Sequence, residues 1–361
     1  MKMRAKFKLI IFTFLIGCFF IKCSNLKTEN RNGSFREYSL HGQLYDKDIV
    51  MRPFGLFTLD SMLFIVSSGI SDGFGQVFNL QNDLEELGVF GNIGNGPDEF
   101  ISPELTFVGD NYFFMQNVNA REIAKWSVAK TDSQIKVSEI SRLRLEHHDV
   151  SGIRTESRKV NPLGDEYFVG LICNPEEGYF TLYNKNMEFI NSFGKPPIYE
   201  SGMSPFSYMR RLSGHLSANG SSFVFSAMNI PYIAYYSMEK GDATPVLRWE
   251  DTYGKISYTA ENDAFNFSDK AVGMTMGVQN RDEYIYVLYI DMPWNQIDFS
   301  FAEKSLAKSI LVFNRKGERI ARLNMDHGLY FFYVSEDEKT IYGITQNPDY
   351  MVVNYEIPEF Q

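Results

Sequence analysis

Cysteine is scarce in this chain: there are three in 361 residues, Cys18, Cys23 and Cys173, and the first two sit in or beside an N-terminal apolar run. That leaves no set from which a disulfide framework could be built, and Cys173 reads as a buried free thiol. Histidine is almost as rare, at five. His41, His147, His148, His215 and His327 are therefore the whole stock of imidazole ligands and bases. No HExxH or CxxC pattern occurs. His147 and His148 are adjacent, and neighbours on a strand point to opposite faces, so they make a poor metal pair. Asp72, Asp98, Glu99 and Glu176 are loop acids without EF-hand spacing. No metal and no cofactor are expected. A basic excess is missing too: the formal net charge is −10, which argues against nucleic acid as a partner. Helical periodicity is short everywhere, with 299–308 the best candidate for a brief helix.

What is present begins with a targeting segment. Lys2, Arg4, Lys6 and Lys8 precede the apolar stretch 9–17, too short to span a bilayer, which takes roughly 20 residues. It reads as a secretory signal over 1–17. Leu15-Ile16-Gly17-Cys18 resembles a bacterial lipobox, which makes Cys18 the expected lipidated residue. Cys23 is the competitor, but Lys22 before it fits poorly. Residues 24–34 are polar, and 18–34 read as a flexible tether. The expectation is an exported, monomeric protein held at the cell envelope, the outer membrane, by a lipid anchor.

The remainder, 35–361, is rich in aromatics, with 31 Phe and 21 Tyr, residues that suit pleated, half-buried surfaces. A polar turn followed by a short apolar strand recurs six times. With Asp60, Asp110, Asp165, Gly220, Asp282 and Asp337 as markers, the spacings are 50, 55, 55, 62 and 55 residues. Each marker strand has a strand before it and two after it. Four strands per unit, six times over, predicts an all-β fold: a six-bladed β-propeller with four antiparallel strands per blade, closed by an N-terminal strand, because radial packing covers both faces of sheets that could not cover themselves. The last unit lacks room for its outer strand, and 35–40 is spare and placed to supply it.

The run 91–103, with Gly91, Gly94, Gly96 and Pro97, resembles the glycine-rich loop of NHL-type propellers. With the lipobox and the length, the chain looks like the TolB-like six-bladed propeller lipoproteins of Gram-negative bacteria. That resemblance implies a fold and an exported location. Members mostly lack an assigned reaction, so it brings no catalytic residues. Read on its own, the glycine run is a blade-to-blade turn, since a phosphate cradle needs a helix behind it.

In such a blade the turns between strands one and two, and three and four, share one face, and here they are tight. The opposite face carries the long connections, among them 91–104, 147–155, 194–208, 251–270 and 291–307. Long loops on a rigid scaffold commonly hold function. Candidate binding residues are Asn117, Asn174, Asn229 and Asn347, which recur after the marker strands, as a ring of amides for a hydroxyl-rich ligand or as plain turn formers. Trp294 could stack on a sugar or pin its own loop. Arg52, Arg158 and Arg210 lie on or near innermost strands and could meet an anion, or be salt-bridged strand arginines. The leading reading is a binding or interaction module for a glycan, peptide or protein partner; the alternative is a lyase or hydrolase at the channel mouth using His215.

Overall fold

The computed structural model describes residues 35–45, 52–67, 70, 73–130, 135–146, 149–150, 153–154, 157–268, 271–297, 306–346 and 349–360. Six four-stranded antiparallel sheets stand in a ring. Blade 1 spans 53–90, blade 2 103–144, blade 3 158–193, blade 4 214–252 and blade 5 272–329; blade 6 spans 331–356 and takes its outer strand from Gln43–Leu44. The first strand of each blade is innermost: Pro53–Leu59, Pro103–Val108, Arg158–Leu163, Gly214–Asn219, Val272–Asn280 and Phe331–Val334. Each touches the inner strand of the next blade, and the last touches the first, which closes the circle around an axis. Every marker strand is the second strand of its blade. The turns before these strands take left-handed backbone at Asp60, Gly164 and Gly220, residue types that tolerate it.

Position in the blade explains the sequence pattern. Second strands are covered on both faces by neighbouring blades, so Met62–Ser67 and Ser222–Ala227 are buried throughout and read as continuous runs rather than alternations. Outer strands such as Glu85–Phe90 are largely exposed. The wedges between blades are filled with rings. Between blades 1 and 2, Phe57 packs on Phe64 at 4.6 Å and on Phe113 at 4.9 Å, and Phe113 lies parallel to Trp126 at 6.1 Å. Between blades 3 and 4, Phe223 stacks on Tyr236 at 4.9 Å and Phe180 meets both edge-on. Such pairs add attraction to the area that they bury.

Closure by an N-terminal strand is observed, but not through 35–40. Arg36–Leu40 instead runs parallel to Arg319–Leu329 as a fifth strand of blade 5. Leu40 is buried there, and Tyr38 meets Phe360. The chain then crosses to blade 6 at His41 and Gly42, and Gln43–Leu44 pairs with Asn354 and Val353. Asp326 holds the crossing: its carboxylate accepts from Gly42 N at 3.1 Å and from the His41 ring at 3.4 Å. Burial raises the Asp326 pKa, but the Gly42 N–H and the two imidazoles outweigh it and hold the carboxyl below its ordinary value.

The candidate helix at 299–308 falls largely outside the described residues. Residues 298–305 lie outside the described residues, and Ala307–Asn314 is a strand. Helix α1 is Pro205–Leu212, with Ser204 as N-cap and Pro205 in its first turn, a start signal carried in the sequence. A hairpin, Tyr258–Glu261 with Ala264–Phe267, is inserted after blade 4 and accounts for the one long marker spacing. It packs on α1 through Phe265 against Tyr208, and Asp263 accepts from Ser204 N and Oγ, both at 2.6 Å.

Two outcomes test these contacts. Phe113→Ala opens a void in a wedge that cannot collapse, and is expected to cost about 3–5 kcal/mol in denaturant unfolding. Asp326→Asn is expected to cost about 1 kcal/mol, a low figure for a charged hydrogen bond because the carboxyl is partly exposed. Since the folded pKa is depressed, that contribution is whole above the ordinary carboxylate range, near 3.9, and fades as the pH falls below it. Urea titrations of both proteins at neutral and acid pH should converge in acid.

Candidate functional site at the channel mouth

The inner strands line a narrow axial channel of about 170 Å³, with polar groups from Thr106, Asn161, Ser217, Gln279 and Asn280. It opens on the long-loop face into a wider cavity of about 720 Å³. The cavity wall is apolar, from Phe54, Ile93, Ile101, Val118, Leu171 and Met228; Glu104, Arg158, Lys159 and His215 are the titratable groups. These come from inner strands of blades 2, 3 and 4, near the ends where the strands enter from the loop face.

Arg158 and Lys159 are adjacent, so strand alternation should turn one of them away. Both line the cavity because the pairing of this inner strand slips between Arg158 and Asn161, and Lys159 takes φ +54°. A bulge of this kind re-aims side chains. The neighbours hold it. Buried Gln116 of blade 2 donates from Nε2 to Ser157 O at 2.7 Å and accepts from Val160 N at 3.1 Å. Buried Asn161 donates to Lys159 O at 2.8 Å, and its Oδ1 accepts from Ala218 N at 3.3 Å. Two carboxamides thus replace the ladder bonds that the bulge gives up. Lys159 Nζ pairs with the Glu104 carboxylate.

His215 is half-buried as a residue, yet its Nε2 is closed to solvent and has no protein partner. Burial and the Lys159 charge push its pKa down to about 3, against a hydrogen bond with the Thr275 backbone. The imidazole is therefore neutral at ordinary pH. It does not act as an imidazolium acid, and its closed Nε2 is not presented to a guest. That weakens the catalytic role considered for it.

The other candidates are placed as follows. Asn117 is buried and donates to Glu99 O at 3.3 Å. Asn174 Oδ1 accepts from Glu176 N at 2.9 Å and Glu177 N at 3.2 Å, a side-chain turn. Asn229 donates to Arg211 O at 2.8 Å. Asn174 thus shapes its own loop, while Asn117 and Asn229 each tie theirs to the preceding connection. Asn347 lies outside the described residues, as do Cys18, Cys23, Asp72, His147 and His148. Trp294 stacks on Phe267 at 5.7 Å and so ties its segment to the inserted hairpin. Arg52 is exposed with φ +64° and does not line the cavity. Arg210 is exposed in the last turn of α1, not on an inner strand. Arg158 alone of the three arginines lines the mouth. Cys173 is a buried free thiol, and burial lifts its pKa to about 12.

The glycine-rich run is a self-closed turn. Glu99 accepts from Gly96 N at 2.7 Å, taking the N–H that an anion would use. Arg142 clamps the loop from blade 2: it lies 4.6 Å over the Phe100 ring and donates to Pro97 O at 2.9 Å. Gly91, at φ +73°, has the Phe74 ring where a Cβ would stand. Sequence reasoning missed Glu104 and Lys159. The residue pattern shows an inner strand at 158–163 but nothing that marks its bulge. It also passed over Gly69-Ile70-Ser71-Asp72-Gly73, a G-x-S-x-G run. Strands flank it on both sides, Met62–Ser67 and Gly75–Asn79, whereas a nucleophile elbow leads from a strand into a helix. Among the described residues no three His, Cys, Asp or Glu converge as a metal set, and no helix is long and apolar enough to cross a membrane.

The family model described as TolB-like 6-blade propeller-like matches residues 34–337. The chain belongs to this family. Solved structures share the fold of this TolB-like propeller at low identity. A protein from Bacteroides fragilis NCTC 9343 described as exported is 11% identical with a TM-score of 0.53, covering 90% of this chain and 100% of its own. U3-55K is 9% identical with a TM-score of 0.50, covering 88% of this chain and 98% of its own. No curated protein matches the sequence.

The His215 environment predicts a pH effect in this TolB-like propeller. Its folded pKa lies below the ordinary 6.5, so the unfolded chain binds the extra proton. Stability is whole above about pH 6.5 and declines as the pH falls towards 3, by up to about 1.4 kcal/mol per unit from this group. His215→Gln should flatten the unfolding free energy across that window in denaturant titrations; an unchanged slope would contradict the burial argument.

Proposed function

We propose that this protein is an exported binding module, lipid-anchored through Cys18 to the cell envelope at the outer membrane, which takes a glycan, peptide or protein partner at the cavity on its long-loop face. The observation that carries the reading is the cavity itself: about 720 Å³, apolar-walled, with a few convergent charged groups at its base, on a face made of the longest connections. Concave apolar sites with sparse polar groups are the usual form of ligand pockets. Export is supported by the lipobox-like segment and by the likeness to a protein described as exported.

The entry of the chain adds an orientation. Arg36–Leu40 runs parallel to Arg319–Leu329, and Arg36 lies beside Ala321, near the tight turn at Gly317. The fold is therefore entered at the short-turn rim, opposite the cavity. A lipid on Cys18, joined through residues 18–34, would favour the cavity facing away from the membrane surface.

The test is a melting-temperature screen of the purified protein against glycans and peptides, alongside Ser102→Trp. Ser102 is exposed at the cavity rim, so the variant should fold normally and block the mouth. A ligand at about 100 times its Kd adds about 2.7 kcal/mol of stability, a rise of several degrees. The expected result is a shift in the native protein that Ser102→Trp abolishes; a shift of equal size in both would move the site elsewhere.

A further inference from the structure

We infer that the mouth cavity is shaped for a hydroxyl-rich carboxylate, a uronate sugar unit, with Arg158 receiving the carboxylate and Glu104 and Lys159 engaging hydroxyls. This rests on the reading of the cavity as the ligand site. The first observation is charge. The chain as a whole is −10, yet the charged side chains of the cavity are Arg158, Lys159 and Glu104, with His215 neutral. The mouth is a local reversal of sign on an acidic molecule, and it favours an anionic guest.

The second observation is the bulge. Lys159 is held in left-handed backbone, which a residue with a side chain adopts reluctantly, and strained backbone is kept where the surroundings enforce it. Buried Gln116 and Asn161 enforce it here, one from the neighbouring blade and one from the strand itself. What the arrangement achieves is two adjacent cations on one cavity wall. Lys159 is already matched by Glu104. Arg158 is exposed and has no ion pair among the described residues. Its planar fork fits a carboxylate with two parallel hydrogen bonds.

The third observation selects hydroxyls. Glu104 is an acceptor on the cavity wall. A guest that brought only a carboxylate would repel Glu104. A sugar acid brings the carboxylate together with several O–H groups, which can donate to Glu104 and accept from Lys159. A peptide C-terminus offers the same carboxylate but one adjacent N–H, which leaves the remaining acceptors unmet. The C–H face of a pyranose can lie on the Phe54, Leu171 and Met228 side of the wall.

Calorimetric titration of the protein with glucuronate, glucose and a short peptide bearing a free C-terminus tests this. Glucuronate should bind at least about tenfold more tightly than glucose, and Arg158→Ala should remove that advantage while the unliganded melting temperature stays put. Raising the salt from about 0.05 M to about 0.5 M should weaken glucuronate and leave glucose alone. Equal affinity for the two sugars, an Arg158→Ala variant that keeps the preference, or a peptide carboxylate displacing glucuronate would each overturn the inference while leaving the cavity as a binding site. Silence from all three probes overturns the inference too; the cavity reading itself then falls only if no ligand in the melting screen is lost on Ser102→Trp.

Discussion

Everything in this molecule depends on how six sheets fill the wedges between them. A four-stranded sheet standing alone would expose an apolar face on each side. Set radially, each face is covered by a neighbour, but the gap widens outwards, and side chains of different size must fill it. Here flat rings do so. Phe57, Phe64, Phe113 and Trp126 occupy one wedge, and Phe180, Phe223 and Tyr236 another. Buried clusters recur around the ring between successive blades. Each blade thus relies on its neighbours to cover its apolar faces, and the packing of the wedges sets the axis.

A closed ring has one weak joint, where the chain ends meet. The joint is split here between two blades. Five residues of the N-terminal segment extend blade 5 in parallel, and only Gln43 and Leu44 complete blade 6. Two paired residues hold little by themselves. The crossing is therefore secured by a carboxylate, Asp326, and by close packing at Gly42, where a Cβ would meet Val353 and Tyr355. The joint is thus partly electrostatic, and it is weakened by acid as the Asp326 carboxylate takes up a proton.

The repeat was legible because turns between first and second strands need particular residues. Asp60, Gly164 and Gly220 sit at left-handed positions, which restricts the residues allowed, and an Asp or Gly recurs in the corresponding turn of each blade. Continuous apolar runs such as Leu63 to Val66 mark strands covered on both sides. The functional detail was less legible for a related reason. A bulge is a departure from periodicity, and periodicity is what sequence patterns report. Arg158 and Lys159 read as ordinary strand neighbours, one inward and one outward, until the slipped pairing puts both on the cavity. The recurrent asparagines were visible, but Asn174 forms a turn in its own loop and Asn117 and Asn229 brace a neighbouring connection. Ser204 and Pro205 carried a helix start within what read as a long connection.

The asymmetry between the two faces follows from the same geometry. Tight turns link strands one to two in every blade and strands three to four in most, 238–245 of blade 4 being a longer case. Connections on the other face must travel between strands or between blades, and they can lengthen without disturbing the wedges. The inserted hairpin and helix α1 are accommodated there, braced on each other through Asp263 and Phe265. Inner strands begin on this face, so a residue near the start of an inner strand lies at the floor of whatever the loops enclose. Glu104, Arg158, Lys159 and His215 all hold that position, in three successive blades. Their convergence does not need a shared loop. It needs only that the wedges set the blades at fixed angles, so that a shift of pairing in one strand aims two cations at a point that its neighbours already surround.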